Sequence, residues 1–167
     1  MTERHVEKLP VFHKIEGFDC GERPLNRFLT QFALQNQRAN ASQTYVGLDG
    51  DEVIGYYSLS VGEVAHTDVP DRLKKGLARH PVPVMVLAPL AVSTSWQGKG
   101  VGRGLLADAV RRTLQAAEIA GIRALVVHAK NDDVRAFYER VNFAPSPTDP
   151  LHLFALISDL RKIYTTN

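Results

Sequence analysis

Leu90-Ala91-Val92-Ser93-Thr94-Ser95-Trp96-Gln97-Gly98-Lys99-Gly100-Val101-Gly102-Arg103-Gly104-Leu105-Leu106 is the stretch that decides the fold. An apolar strand pattern stops at Val92, glycines recur at alternate positions from Gly98, and an amphipathic helix pattern follows. Glycine lets the backbone approach an anion closely. The first N–H groups of a helix lack internal acceptors, and the helix dipole adds positive character there. Strand, glycine turn and helix start in this order predict a pyrophosphate cradle.

The spacing rejects two common nucleotide cradles. In a G-x-G-x-x-G/A dinucleotide fingerprint, the last position falls on Arg103 or Leu105, and the one register that ends on an alanine starts too far from the strand. In a Walker loop, Ser93 stands where the first glycine belongs, and Gly100 stands where Ser or Thr belongs. Gln97-x-x-Gly100-x-Gly102 remains. A glycine turn without a ligand has the same local appearance, so the downstream sequence matters. There Ala124–Ala129 reads as a buried strand, Asn131 follows, and a short helix carries Ala136, Phe137, Tyr138, Val141, Asn142 and Phe143.

The two segments together resemble the GNAT N-acetyltransferases. That family's signatures are Q/R-x-x-G-x-G/A, then N-x-x-A-x-x-F-Y-x-x-x-G-F. Val134 replaces the usual alanine and is still small and apolar. Asn142 replaces the usual glycine at a helix end that needs left-handed backbone, and asparagine is the next-best residue for it.

Composition sets ordinary bounds. The chain has 167 residues, enough for one domain with a full core, and residues 1–167 are expected to form one acetyltransferase domain. A net charge of +2 and a pI near 8.8 permit nucleic-acid binding without compelling it. The single cysteine, Cys20, allows no internal disulfide and fits a reducing cytoplasm, as a packed side chain rather than a nucleophile. The polar N-terminus lacks a signal-peptide core. Val82–Val92 is too short for a membrane span, so no membrane partner is expected. The six histidines are scattered without ligand spacing, and no G-x-S-x-G elbow occurs, which disfavours metallohydrolase and serine hydrolase chemistry.

Along the chain, Phe18-Asp19-Cys20-Gly21 reads as a turn. A helix is expected from Pro24, with Leu25, Phe28, Leu29 and Phe32 on its apolar face. Gln43–Leu48 and Val53–Val64 read as strands joined at Asp49-Gly50. Asp71–Arg79 reads as a short basic helix and Val84–Val92 as a central strand. A long helix runs from Gly100 or Val101 to Ala120, ended by Gly121. Then come the Ala124–Ala129 strand, a helix over Val134–Val141 and a last strand over Leu151–Leu156. The order is mixed α/β. The resemblance implies a central sheet splayed in the middle to admit a pantetheine arm, with helices on both faces.

The resemblance also distributes roles. Acetyl-CoA is the implied cosubstrate, with no metal. Backbone groups of Leu90, Ala91 and Val92 would run along the pantetheine, and an N–H near Val92 would face the thioester carbonyl. Gln97, Gly98, Lys99, Gly100, Val101, Gly102 and Arg103 would hold the pyrophosphate. Asn131 would orient the pantetheine amide, although it also reads as an ordinary cap. Phe137 would pack in the core or against the pantetheine. Tyr138 is the expected general acid, the other reading being a core tyrosine with a satisfied hydroxyl: a phenol near pKa ~10 is protonated at neutral pH and can donate, uphill by about a unit, to a departing thiolate near ~8.5.

The central strand carries no carboxylate, so no strand base is evident. An α-amine, titrating near ~8, needs less help than a lysine at ~10.4. Phe18–Leu29, Pro83–Val92 and Phe143–Pro150 extend the resemblance to the GNAT toxins of toxin–antitoxin pairs, the TacT and AtaT type, from about Phe12 to Leu160. That branch acetylates the α-amine of aminoacyl-tRNA, stops translation and is neutralised by a ribbon-helix-helix antitoxin. A homodimer is implied as well. Arg38, Arg72, Lys74, Lys75 and Arg79 are the expected RNA-phosphate contacts, or else a solvated face. Pro89 and Ser93 depart from the branch, where a basic and an acidic residue are frequent. The competing readings are a GNAT enzyme for a small amine or a protein N-terminus, and a non-catalytic acetyl-CoA-binding module.

Overall fold

A computed structural model describes residues 4–10 and 15–164. Phe12, where the resemblance begins, lies outside them. The described strands are β1 (Arg4–Lys8), β2 (Gln43–Asp49), β3 (Glu52–Val64), β4 (Val82–Val92), β5 (Ala124–His128), β6 (Ala144–Pro145) and β7 (His152–Leu156). They form one mixed sheet in the order β1-β2-β3-β4-β5-β7-β6, in agreement with the expected α/β class. The chain divides into two compact units: the described residues up to Ser60 with Leu87–Ala109, and Val61–Val86 with the chain from Val110 onward.

In the first unit β1, β2 and β3 are antiparallel, and Gly50, at φ +59°, turns the β2–β3 hairpin where Asp49-Gly50 signals it. The register slips between Gly47 and Leu48, so Ile54 is a bulge residue on β3. β1 has no counterpart among the expected strands. It is an edge strand of charged and half-exposed residues, with no alternating apolar face to mark it.

The helix expected from Pro24 is three pieces: α1 (Arg23–Arg27), a π-turn over Phe28–Phe32, and α2 (Ala33–Arg38). A π-turn takes more residues per turn than an α-turn. Phe32 therefore falls behind the buried face and is 44% exposed, and Ala33 takes its place beside Leu29. These two pack with Leu9, Phe18, Val46, Leu48, Tyr56 and Ala91. Each large apolar side chain buried this way stabilises the fold by about 1.5–3 kcal/mol.

In the second unit β4 runs parallel to β5 through Val84↔Ala124, Met85↔Leu125 and Val86↔Val126, while β7 is antiparallel to both β5 and β6. Val69, Leu73, Val82, Val84, Ala124, Val126, Phe154 and Leu156 form its core. α3 covers only Asp71–Lys74, shorter than the expected Asp71–Arg79, because the backbone turns to φ +81° at Gly76. α4 (Val101–Ala117) crosses from the first unit to the second. It stops short of the expected Ala120, and Gly121 does not take the left-handed cap conformation. α5 spans Asp132–Arg140, and Asn142 after it stands at φ +74°, the left-handed conformation its position called for. α6 (Ile157–Tyr164) was not anticipated: it begins directly after β7 with no turn residue between them, and buries Ile157 and Leu160.

Candidate functional site

The glycine turn occupies the first unit. β4 ends at Val92, where the Ser93 N–H donates to the Ile54 carbonyl (2.9 Å) and the Thr94 N–H to the Asp19 carbonyl (2.9 Å). The bulge at Ile54 thus supplies an acceptor that ties down the strand end. The Gln97 side-chain amide donates to the Val92 carbonyl (2.9 Å) and to the Cys20 carbonyl (3.0 Å), clipping the turn to the strand before it. Gly98 and Gly100 stand at φ +75° and +84°, which side-chain-bearing residues rarely adopt. A Cβ at either glycine would meet no atom within 4 Å, so the turn faces open space.

α4 then begins. The Gly104 N–H donates to the Gly100 carbonyl (3.1 Å), so the N–H groups of Val101, Gly102 and Arg103 precede the helical ladder. Amide donors, a helix start and exposed Lys99 and Arg103 form a donor set chemically suited to a pyrophosphate. Beside them the Trp96 indole donates to Glu52 (2.7 Å), and the Lys99 ammonium lies 5.4 Å from the Trp96 ring centroid.

Gly55 belongs to this construction and escaped the sequence reading. A Cβ there would lie 2.7 Å from Leu105 Cδ1 and 2.8 Å from the Ala91 carbonyl. Only glycine lets β3 approach both the end of β4 and the first turns of α4. The available signal was a glycine inside an otherwise apolar strand, which marks a bulge or a close backbone approach.

The second unit holds Asn131, Phe137 and Tyr138. Asn131 caps α5, its Oδ1 accepting from the Val134 N–H (3.0 Å). This is the cap reading of Asn131, and its Nδ2 group is left to donate elsewhere. Tyr138 lies on α5 with its ring edge-to-face against Phe137 (5.1 Å) and Phe143 (5.2 Å), and it is only 6% exposed. Burial pushes its phenol above the ordinary tyrosine range, so the hydroxyl stays protonated. That hydroxyl makes no hydrogen bond among the described residues, and it is not sealed from solvent.

The basic residues are not one free patch. Arg38 ends α2 in the first unit, and the others belong to the second. Arg72 is spent on Asp159, its second guanidinium nitrogen lying 2.8 Å from Asp159 Oδ1. Lys74 pairs with Asp71 (3.4 Å). Lys75 and Arg79 are exposed. Cys20 is buried and its thiol is pushed above the usual range, mainly by desolvation, in keeping with a packed side chain. Among the described residues no group of three or more His, Cys, Asp or Glu could hold a metal ion, and no helix is long and apolar enough to cross a membrane.

A model of the acetyltransferase (GNAT) family matches residues 10–143. The chain belongs to that family. It is 43% identical over 149 residues, 89% of each chain, to a tRNA-acetylating toxin of Mycobacterium tuberculosis. The structure of AtaT complexed with acetyl-methionyl-tRNAfMet superposes with a TM-score of 0.88 at 27% identity, covering 97% of this chain and 99% of that one. A tyrosine-to-phenylalanine mutant of the AtaT toxin, bound to acetyl-CoA and to the C-terminus of the antitoxin AtaR, gives a TM-score of 0.82 at 26% identity over 98% and 99% of the two chains. The GNAT fold expected from Gln97-x-x-Gly100-x-Gly102 and the Asn131–Phe143 segment is therefore the fold of this chain.

Proposed function

We propose that this acetyltransferase moves the acetyl group of acetyl-CoA onto the α-amine of aminoacyl-tRNA and so blocks translation, as the toxin of a toxin–antitoxin pair. The observation that carries the reading is similarity over 89% of the chain to a protein named as a tRNA-acetylating toxin, together with likeness over 97% of the chain to a neighbour solved with an acetylated aminoacyl-tRNA. In this reading residues 1–167 are one domain, acting in the cytoplasm as a homodimer held in check by a ribbon-helix-helix antitoxin.

Acetyl-CoA, when bound, supplies an activated acyl thioester. The amide N–H groups from Gly98 to Arg103 bind its pyrophosphate, and Gln97 holds them against the end of β4. Leu90, Ala91 and Val92 line the pantetheine, and a strand N–H near Val92 polarises the acyl carbonyl. Asn131, through the Nδ2 group its cap leaves free, orients the pantetheine amide beside Phe137. As the amine displaces the sulfur from the acyl carbon, the Tyr138 hydroxyl gives its proton to the departing thiolate and is reprotonated from solvent, which also takes the proton that the new amide nitrogen releases. The aminoacyl ester helps the acceptor: esterification removes the carboxylate charge next to the amine, so less base is needed to expose the lone pair.

Cell-free translation tests the reading. Added wild-type protein is expected to stop protein synthesis only when acetyl-CoA is supplied. Inhibition independent of acetyl-CoA, or none, contradicts it.

A further inference from the structure

The segment after α3 is built as a pinned platform. Leu73 is buried, and Leu77 packs on the same core as Val69 and Phe154. Between and beyond these two anchors, Lys75, Arg79 and His80 are exposed. Apolar residues at 73 and 77 thus face inward while cations at 75 and 79 face out. A third side chain adds a polar clamp. Arg123, just before β5, donates through Nε to the Leu73 carbonyl (3.0 Å) and through a terminal nitrogen to the Lys75 carbonyl (3.0 Å). These carbonyls belong to the end of a four-residue helix, where acceptors lack intrahelical partners and a positive charge is favoured. Arg123 is itself fixed, its N–H donating to the Pro83 carbonyl (2.8 Å) and its carbonyl accepting from the Ile157 N–H (3.0 Å).

We propose that Arg123 is a positioning residue for RNA: its fork sets the 73–80 segment so that Lys75 and Arg79 meet phosphates of the acceptor tRNA. The inference rests on the aminoacyl-tRNA reading above and narrows it. Arg72 and Lys74, engaged by Asp159 and Asp71, stand outside this contact pair. Lysine cannot replace Arg123, because one ammonium does not span two carbonyls in a fixed plane.

The test is tRNA affinity measured across a salt series, for wild type, Lys75→Ala/Arg79→Ala, Arg123→Lys and the triple variant. Each lost phosphate contact lowers the slope of log affinity against log salt by about one and weakens binding on the order of fivefold near physiological salt. Lys75→Ala/Arg79→Ala is expected to lose about two such contacts. Arg123→Lys, which conserves charge, is expected to lower the slope too, and to have no further effect in the Lys75→Ala/Arg79→Ala background. Acetyl-CoA affinity should stay at the wild-type value in all variants.

A merely structural Arg123 would lower the melting temperature and leave the slope alone, which overturns the proposal. A full additional effect of Arg123→Lys in the triple variant overturns it as well, as does wild-type binding by Lys75→Ala/Arg79→Ala. Should Arg123→Lys not fold, the Lys75→Ala/Arg79→Ala arm still decides whether the platform touches RNA. Failure of wild type to acetylate charged tRNA defeats the functional reading itself, and is separate from a wild type that acetylates while the slopes stay equal.

Discussion

The imidazole rings of His128 and His152 lie face to face, their centroids 3.9 Å apart and their planes 13° from parallel. They are a directly opposed pair on the antiparallel β5 and β7, with Asp149 3.9 Å from His128 Nε2. Burial first, and the neighbouring His128 second, hold His152 below the ordinary imidazole range, against the opposite pull of Asp149 and Asp68. In the unfolded chain it titrates near ~6.5. Below that pH the unfolded chain takes up a proton that the folded stack resists, so stability present at neutral pH is lost as the pH falls. Thermal unfolding is expected to show a lower melting temperature at about pH 5.5 than at about pH 7.5. His152→Phe, which keeps a stacked ring and removes the titration, should flatten that dependence; an equally steep profile in the variant argues against the stack as its source.

Gly55→Ala tests the close approach beneath the glycine turn. The added methyl meets Leu105 and the Ala91 carbonyl inside 3 Å. Overpacking of this kind costs about 1–3 kcal/mol, measurable by urea unfolding. Because the displaced groups are the end of β4 and the start of α4, acetyl-CoA affinity measured by calorimetry should fall with it. A destabilised protein that binds acetyl-CoA normally would separate the cradle from this packing.

Asn142 and Gly100 share left-handed backbone but differ in role. Asn142→Ala is expected to cost about 1–2 kcal/mol of stability and leave acetyl-CoA affinity intact. Asn142→Gly should be near neutral. Gly100→Ala should carry a similar backbone cost and weaken acetyl-CoA binding in addition, since it bends the amides of the cradle. Equal acetyl-CoA affinities for the two alanine variants would contradict the assignment of the turn as the cofactor grip.

Much of this was legible in the sequence for local reasons. Alternate glycines between a strand and a helix, Asp49-Gly50, and asparagine at a helix end each state their backbone conformation directly. What stayed hidden depends on tertiary context. The π-turn that exposes Phe32 leaves no periodic trace. β1 is an edge strand of charged and half-exposed residues, so no alternating apolar pattern marks it, and α6 follows β7 without punctuation. The engagement of Arg72 by Asp159, 87 residues away in sequence, is invisible in a charge count. So is the Arg123 clamp. Among the expected site residues, Asn131 shows the limit most plainly: its type fits both a helix cap and a ligand contact, and the cap is the contact the fold displays.

Tyr138 gives the sharpest separation of stability from chemistry. Its hydroxyl has no hydrogen bond to lose among the described residues, so Tyr138→Phe should unfold at the wild-type urea concentration. Acetyl-CoA affinity should also be unchanged. The rate of acetyl transfer should fall by on the order of a hundredfold or more, the usual contribution of a positioned general acid.

The most direct measurement is transfer of labelled acetyl from acetyl-CoA to a pool of charged tRNAs, with deacylated tRNA and free amino acids as controls and Tyr138→Phe alongside wild type. The expected result is label on the aminoacyl group of one or more charged tRNAs, none on deacylated tRNA, and a sharp loss in the variant. Label on free amines alone, or on no charged tRNA while acetyl-CoA still binds, would contradict the assignment of aminoacyl-tRNA as the acceptor.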